Sequence, residues 1–219
     1  MFSLRGAQIV LLAAALTAAA APAFPEPPKS RAEALAALRH PDAATRAEAV
    51  VWIANRGAMS DAPLLQERLR DESLFVRGFA EQGLWLLWGR SGDAAIDRLM
   101  ARGTEEMQAG RHAEAIAVFT QVIQRQPGFA EGWNRRATVY FLAGDYRRSI
   151  ADCDEVLKRN PAHFGALSGL GQIHVRLGEP EQALAWFRRA LEANPNMLGV
   201  EINIRQLEER LKEKRGRST

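Results

Sequence analysis

The chain has 219 residues, 47% of them hydrophobic, with 29 basic and 26 acidic side chains giving a formal net charge of +3. That composition belongs to a globular protein and excludes disorder as the main state. The near balance of charge gives nucleic-acid binding no support, and a single cysteine, Cys153, excludes an intramolecular disulfide or a cysteine-rich metal site.

The first residues follow the order of a secretory signal peptide: Arg5 in "MFSLRG", the uncharged run "AQIVLLAAALTAAAA", then Ala21-Pro22-Ala23 before Phe24. The apolar run is short against the ~17 to 25 residues of a spanning helix, which favours cleavage over anchoring. No cysteine follows it for lipid attachment, and no twin arginine precedes it. Residues 1–23 are therefore expected to be removed and 24–29 to form a proline-rich linker. The mature protein is expected to be periplasmic or secreted, with no stable membrane insertion after cleavage.

Residues 30–92 contain two related phrases, "LRHPDAATRAEAVVWIANRG" from 38 and "LRDESLFVRGFAEQGLWLLWG" from 69, which align Leu38 with Leu69, Arg46 with Arg77 and Ala49 with Ala80. Ser30 with Glu33 makes a capping box for a helix near 31–39. Asp42, Ser60 and Ser73 are candidate N-caps for helices near 43–57, 61–70 and 74–89. The phrase carried by Leu69, Asp71, Val76, Arg77 and Ala80 resembles the HEAT family and its bilin-lyase-like relatives. Helix pairs here are expected to stack directly on whatever follows residue 92, because "GDAAID" at 92–97 parallels "SDAPLL" at 60–65.

From residue 96 the repetition is regular. Pro127, Pro161 and Pro195 recur every 34 residues, as do Gly110, Gly144 and Gly178, and such a period marks stacked helical units. Between each glycine and proline runs one apolar helical face: Ala115, Ile116, Phe119, Val122 and Ile123, then Ser149, Ile150, Cys153, Val156 and Leu157, then Ala183, Leu184, Phe187, Ala190 and Leu191. Upstream of each glycine lies a second helix with Gly103, Ala137 or Gly171 as its small residue. A last amphipathic helix, 198–214, carries Val200, Ile204, Leu207 and Leu211 on one face and reads as a solvating cap. The basic tail 215–219 follows.

These units resemble tetratricopeptide (TPR) repeats. The pattern is a large apolar fourth residue (Leu99, Trp133, Leu167), a small eighth (Gly103, Ala137, Gly171), a small twentieth (Ala115, Ser149, Ala183), a twenty-fourth that is usually aromatic (Phe119, Cys153, Phe187) and a closing proline. The resemblance covers three units, 96–129, 130–163 and 164–197, within a repeat region 93–197. It implies an all-α, right-handed α-solenoid of antiparallel helix pairs: two HEAT-like pairs, three TPR units and a capping helix, in one continuous stack.

No catalytic constellation emerges. His40, His112, His163 and His174 are scattered, with none in a metal-ligand spacing. Asp152 and Asp154 diverge by about 200° on a helix, so "DCDE" reads as a solvated face, and Cys153 reads as core. The tryptophans read as core too, with Trp88 and Trp186 expected to be partly exposed. No metal, cofactor or catalytic residue is assigned. The resemblance places binding on the concave face: Asp97, Met100, Thr104, Met107 and Gln108; Glu131, Asn134, Thr138, Phe141 and Leu142; Gly165, Ser168, Gln172, Val175 and Arg176. The family's clamp for a terminal carboxylate uses Lys and Asn, then Lys and Arg, where this chain has Met100 and Thr104, then Gly165 and Gly169.

The expected function is a non-enzymatic scaffold or assembly factor of the cell envelope that binds a protein or peptide. The alternative is an accessory to an enzyme or prosthetic-group-handling system through the HEAT-like segment. Arg102 is expected to pair with Glu106, and Glu106 with Arg136 across the repeat junction.

Overall fold

The computed structural model describes residues 26–216, so the leader, the start of the linker and the last residues of the tail lie outside the described part. All regular structure among the described residues is helical: α1 (Arg31–Ala37), α2 (Ala43–Arg56), a short 3-10 turn (Met59–Asp61), α3 (Ala62–Arg68), α4 (Leu74–Trp88), α5 (Ala94–Gln108), α6 (His112–Arg125), α7 (Ala130–Leu142), α8 (Tyr146–Arg159), α9 (Phe164–Leu177), α10 (Pro180–Ala193) and α11 (Leu198–Gly216). No described helix is long and apolar enough to cross a membrane.

Local chemistry sets the ends. Ser30 Oγ accepts from Glu33 N at 3.2 Å and Asp42 Oδ2 from Thr45 N at 2.8 Å, capping α1 and α2. Ser73 makes no side-chain cap; its own N–H donates to Asp71 Oδ1 at 3.0 Å instead. The turns inside the later pairs close on Gly110, Gly144 and Gly178 at φ of 71°, 78° and 75°, where any side chain would be strained.

Helices α5 to α10 form antiparallel pairs, α5 with α6, α7 with α8 and α9 with α10, and α11 packs on α10. Within a pair the approach is set by a small residue facing a ring. A Cβ on Gly103 would lie 2.6 Å from the Phe119 ring, and one on Gly171 2.4 Å from Phe187. Val200 and Leu207 of α11 then close the far end over Leu184 and Phe187.

Helices α1 to α4 form a separate layer in which α2 and α4 pack on each other, with α1 on α2 and α3 on α4. Arg46 at its centre donates to both oxygens of Asp71 at 2.9 and 2.8 Å and to the carbonyls of His40 and Pro41.

One continuous stack was expected, and the packing corrects that. The layer does not stack on α5. Its apolar core runs instead into Phe164, Ala193 and Met197, at the junctions that follow α8 and α10. Trp88 stacks on His163 with centroids 4.5 Å apart, and Trp85 meets Phe164 edge-on at 5.0 Å. Asn196 Nδ2 donates to Leu69 O at 2.8 Å and Gln126 Nε2 to Ser91 O at 2.9 Å.

The physical reason is the face of α5. The third, seventh and tenth residues of each unit face the preceding pair. In the third unit they are Ala166, Leu170 and Ile173, all buried, and in the first they are Arg98, Arg102 and Glu105, all exposed. A charged face cannot be desolvated by an apolar helix without unpaired charge.

Trp85 makes this contact testable. A Cβ on Gly165 would stand 2.4 Å from Trp85 Cη2, whereas one on Gly169 meets nothing nearer than Cys153 Sγ at 4.0 Å. Gly165→Ala is expected to cost about 1–3 kcal/mol through overpacking, while Gly169→Ala is expected to stabilise by about 0.5–1 kcal/mol through helix propensity. Urea unfolding of the two variants checks this; equal effects would mean that the layer does not press on α9.

Candidate functional site

The groove between α7 and α9 holds a cavity of about 210 Å³. Asn134, Thr138 and Phe141 line it from α7; Gly165, Ser168, Gly169 and Gln172 line it from α9. Both sets recur at helical spacing and so share one face of their helix. Its floor is Ala137, Ser149, Cys153 and Ile173.

The floor explains why the cavity is there. In the flanking pairs a phenylalanine fills the interior, and between α5 and α7 Phe119 packs with Val139, Met100 and Met107. In the middle pair the corresponding residue is Cys153, opposite Ala137 instead of a glycine. The thiol is too small to replace a ring, so the space stays open. Burial, with Asp152 and Asp154 adding to it, pushes the Cys153 thiol up to about 12, which leaves it protonated and unreactive. Ser149 Oγ donates to Ala137 O at 2.7 Å and is satisfied.

The mouth is polar. Thr138 and Gln172 are exposed, Thr138 Oγ1 donates to Asn134 O at 3.0 Å, and Asn134 Nδ2 donates to Glu131 Oε2 at 3.0 Å. Gln172 has no partner among the described residues. At the Gly165 end of α9 the indole of Trp85 packs against the glycine, 2.4 Å from where a Cβ would stand, outside the lining of the cavity.

Residues 100–156 and 137–197 each match the model of the tetratricopeptide repeat family. Together the two matches cover residues 100–197, a little under half of the chain. A TPR repeat-containing protein of Rhizobium etli is 32% identical over 111 residues, 47% of this chain and 52% of that protein, so the chain spans about half the length of this relative. Among solved structures, the first TPR domain of human RPAP3 superposes with a TM-score of 0.52 at 24% identity, covering 55% of this chain and 95% of that one. The Sgt2 TPR domain of Aspergillus fumigatus gives 0.53 at 19% identity, covering 56% and 83%. At these identities the likeness is one of fold.

Within the repeat units the expected concave residues separate. Asn134, Thr138, Phe141, Ser168 and Gln172, with Gly165, come together at the cavity. Met100 and Met107 pack into the core beside Phe119. Asp97 accepts from Ser91 Oγ at 2.5 Å, and Thr104 Oγ1 bonds back to Met100 O at 2.8 Å. Gln108, Leu142, Val175 and Arg176 are exposed outside the cavity.

Glu131 is not a groove residue, being only 2% exposed. Its carboxylate accepts from Arg135 Nε at 2.7 Å and Asn134 Nδ2 at 3.0 Å, and faces His163 Nε2 at 3.3 Å. His163 Nδ1 accepts from Ala166 N at 3.1 Å, capping α9, so the imidazole proton sits on Nε2 toward Glu131. Trp88 covers the ring from the N-terminal layer. Trp88 was expected to be partly exposed and is 3% exposed; it is the cover of this junction.

The expected charge pairs are also corrected. Glu106 pairs with Arg111 on the following turn, and Arg136 donates to both oxygens of Asp152 at 2.8 Å and to Thr120 Oγ1 at 2.9 Å. Asp152 is therefore buried and paired, not solvated, and it lies within reach because α7 and α8 are antiparallel. Sequence spacing favoured the near carboxylate; the buried one wins because it can be held by both oxygens. No group of ligands able to hold a metal occurs among the described residues.

Burial would raise the pKa of Glu131, but the hydrogen bond from His163, with the charge of Arg135 and the Asn134 amide, holds it below its ordinary 4.5. A carboxyl lowered on folding lends stability that is complete above its unfolded value and is lost as pH falls through the folded one. Glu131→Gln is expected to be less stable than the parent at pH 7, with the difference shrinking as pH falls below 4.5. Thermal melts across that range check the sign; a difference that grows on acidification would contradict it.

Proposed function

We propose that this chain is a non-enzymatic scaffold or assembly factor that binds an extended segment of a protein partner along the groove between α7 and α9. The observation that carries this reading is the cavity. It gathers Asn134, Thr138, Phe141, Ser168 and Gln172 behind a polar mouth, and its one ionisable lining group is the unreactive Cys153 thiol. Such a site offers shape and hydrogen bonds to a peptide and no acid–base pair for chemistry.

Related folds support a peptide ligand: the first TPR domain of Spaghetti (RPAP3) is described bound to the HSP90 peptide SRMEEVD, with a TM-score of 0.51, 24% identity and coverage of 53% of this chain and 93% of that one. The residues that would clamp a terminal carboxylate are replaced here by Met100, Thr104, Gly165 and Gly169, and Trp85 lies over Gly165. An internal segment of the partner therefore fits this groove better than a chain end. For residues 30–92 the HEAT-like reading rests on the repeated phrase and on the Arg46–Asp71 pair, and the segment serves as a rigid arm. The envelope location rests on the leader-like order of residues 1–23.

A photo-reactive residue at Gln172 in the full chain is expected to capture a protein in cells, with Gln121 on α6 giving no such product. Equal capture at both positions would remove the groove from the reading. A reporter that is active only after export, fused after residue 29, is expected to be active; an inactive fusion would remove the envelope location.

A further inference from the structure

We propose that the cavity floored by Cys153 is an anchor pocket for one apolar side chain of a linear peptide, with an acidic residue of that peptide placed beside Arg176. This rests on the binding reading above and adds the chemistry of the ligand.

Size sets the occupant. About 210 Å³ is below the ~300–1,000 Å³ of a site for a drug-sized ligand and well above the ~30 Å³ share of one water. The floor presents the Ala137 methyl, the Cys153 sulfur and Ile173, and Phe141 forms a wall. Water there would find few partners, since the Ser149 hydroxyl is already committed to Ala137 O. An aliphatic side chain is the group that loses least and gains most on entering.

The mouth sets how it is hung. The amide of Gln172 is exposed and unpartnered among the described residues, and Asn134 uses only its Nδ2, leaving Oδ1 to accept. Both can bond the peptide groups on either side of an anchor residue. Gly165 and Gly169 leave two positions on this face of α9 without side chains, beside the small Ser168, which lets a backbone approach closely. Trp85 packs against α9 at Gly165, and the exposed face of α9 runs the other way from the cavity, through Gln172 toward Arg176, so the ligand is set to continue in that direction. Arg176 lies one turn beyond Gln172, exposed and without a carboxylate partner among the described residues, whereas Arg135 is held by Glu131. An acidic neighbour to the anchor complements that free cation.

The pocket is particular to the middle unit. Both flanking units set a phenylalanine against a glycine where this one sets Cys153 against Ala137. The double substitution Ala137→Gly with Cys153→Phe would rebuild the filled arrangement, with the glycine giving the ring the room that Gly103 and Gly171 give theirs.

The test begins with selection of a displayed library of random heptapeptides on the full chain, followed by fluorescence anisotropy of synthetic copies of the enriched sequences. One apolar position is expected whose replacement by alanine weakens binding at least about tenfold, as loss of one buried aliphatic side chain implies. Ala137→Gly/Cys153→Phe is expected to weaken the same peptides to a similar degree while keeping a cooperative thermal transition. Should that variant lose its transition, Cys153→Met, which fills the space with a flexible chain, takes its place with the same expectation. Arg176→Glu is expected to weaken peptides with an acid beside the anchor and to improve copies carrying lysine there. Enriched peptides with no single apolar position, or unchanged binding by the filled variants, would overturn the anchor and leave the binding reading standing. A library that enriches nothing would overturn the binding reading itself.

Discussion

Each helix pair between residues 94 and 193 closes on one contact, a residue without bulk on the first helix against the middle of the second. Where the partners are Gly103 and Phe119, or Gly171 and Phe187, the ring lies closer to the glycine than any Cβ would allow, so the two helices are held at one depth and one rotation. Packing at such density tolerates neither a larger residue on one side nor a smaller one on the other without consequence. The middle unit departs from both partners at once. Ala137 adds a methyl, Cys153 removes a ring, and the volume left over opens between α7 and α9.

The second constraint is where the stack begins. Unit three receives the pair before it on Ala166, Leu170 and Ile173, all buried, and unit two on buried Gly132 and Val139 with Arg136 between them, its charge met by Asp152 and Thr120. The first unit offers Arg98, Arg102 and Glu105 to the same side, and no apolar helix can cover them cheaply. The N-terminal layer still has tryptophans to bury. It turns at Gly92, with φ of 78°, while Arg90 holds the turn to Ala54 O and Gly57 O at 2.6 Å. Trp85 and Trp88 then find their cover on His163 and Phe164.

This division follows what sequence can carry. The period, the turn glycines and the small eighth residue are local signals, and they gave the pairs and their register. Arg136 choosing Asp152 over Glu106 is not local, because it depends on α8 running back beside α7. The burial of Trp88 depends on a surface more than 70 residues away in the chain and leaves no trace in its own neighbourhood. Two signals were present and unread. Charges at the third, seventh and tenth residues of the first unit already said that nothing apolar precedes it. A cysteine among phenylalanines already said that a volume was missing; reading it as core was correct for the thiol and silent about the space around it.

Gly165 joins these threads. It lines the cavity on one side and lies under Trp85 on the other, so one position without a side chain serves both the groove and the contact with the N-terminal layer. The charged face of α5 diverts the N-terminal layer, and the diverted layer sets Trp85 against Gly165 at one end of the groove. Its other end is left to Gln172 and Arg176. What packs against α9 at Gly165 is thus set at the opposite end of the stack, where three charged side chains refuse a neighbour.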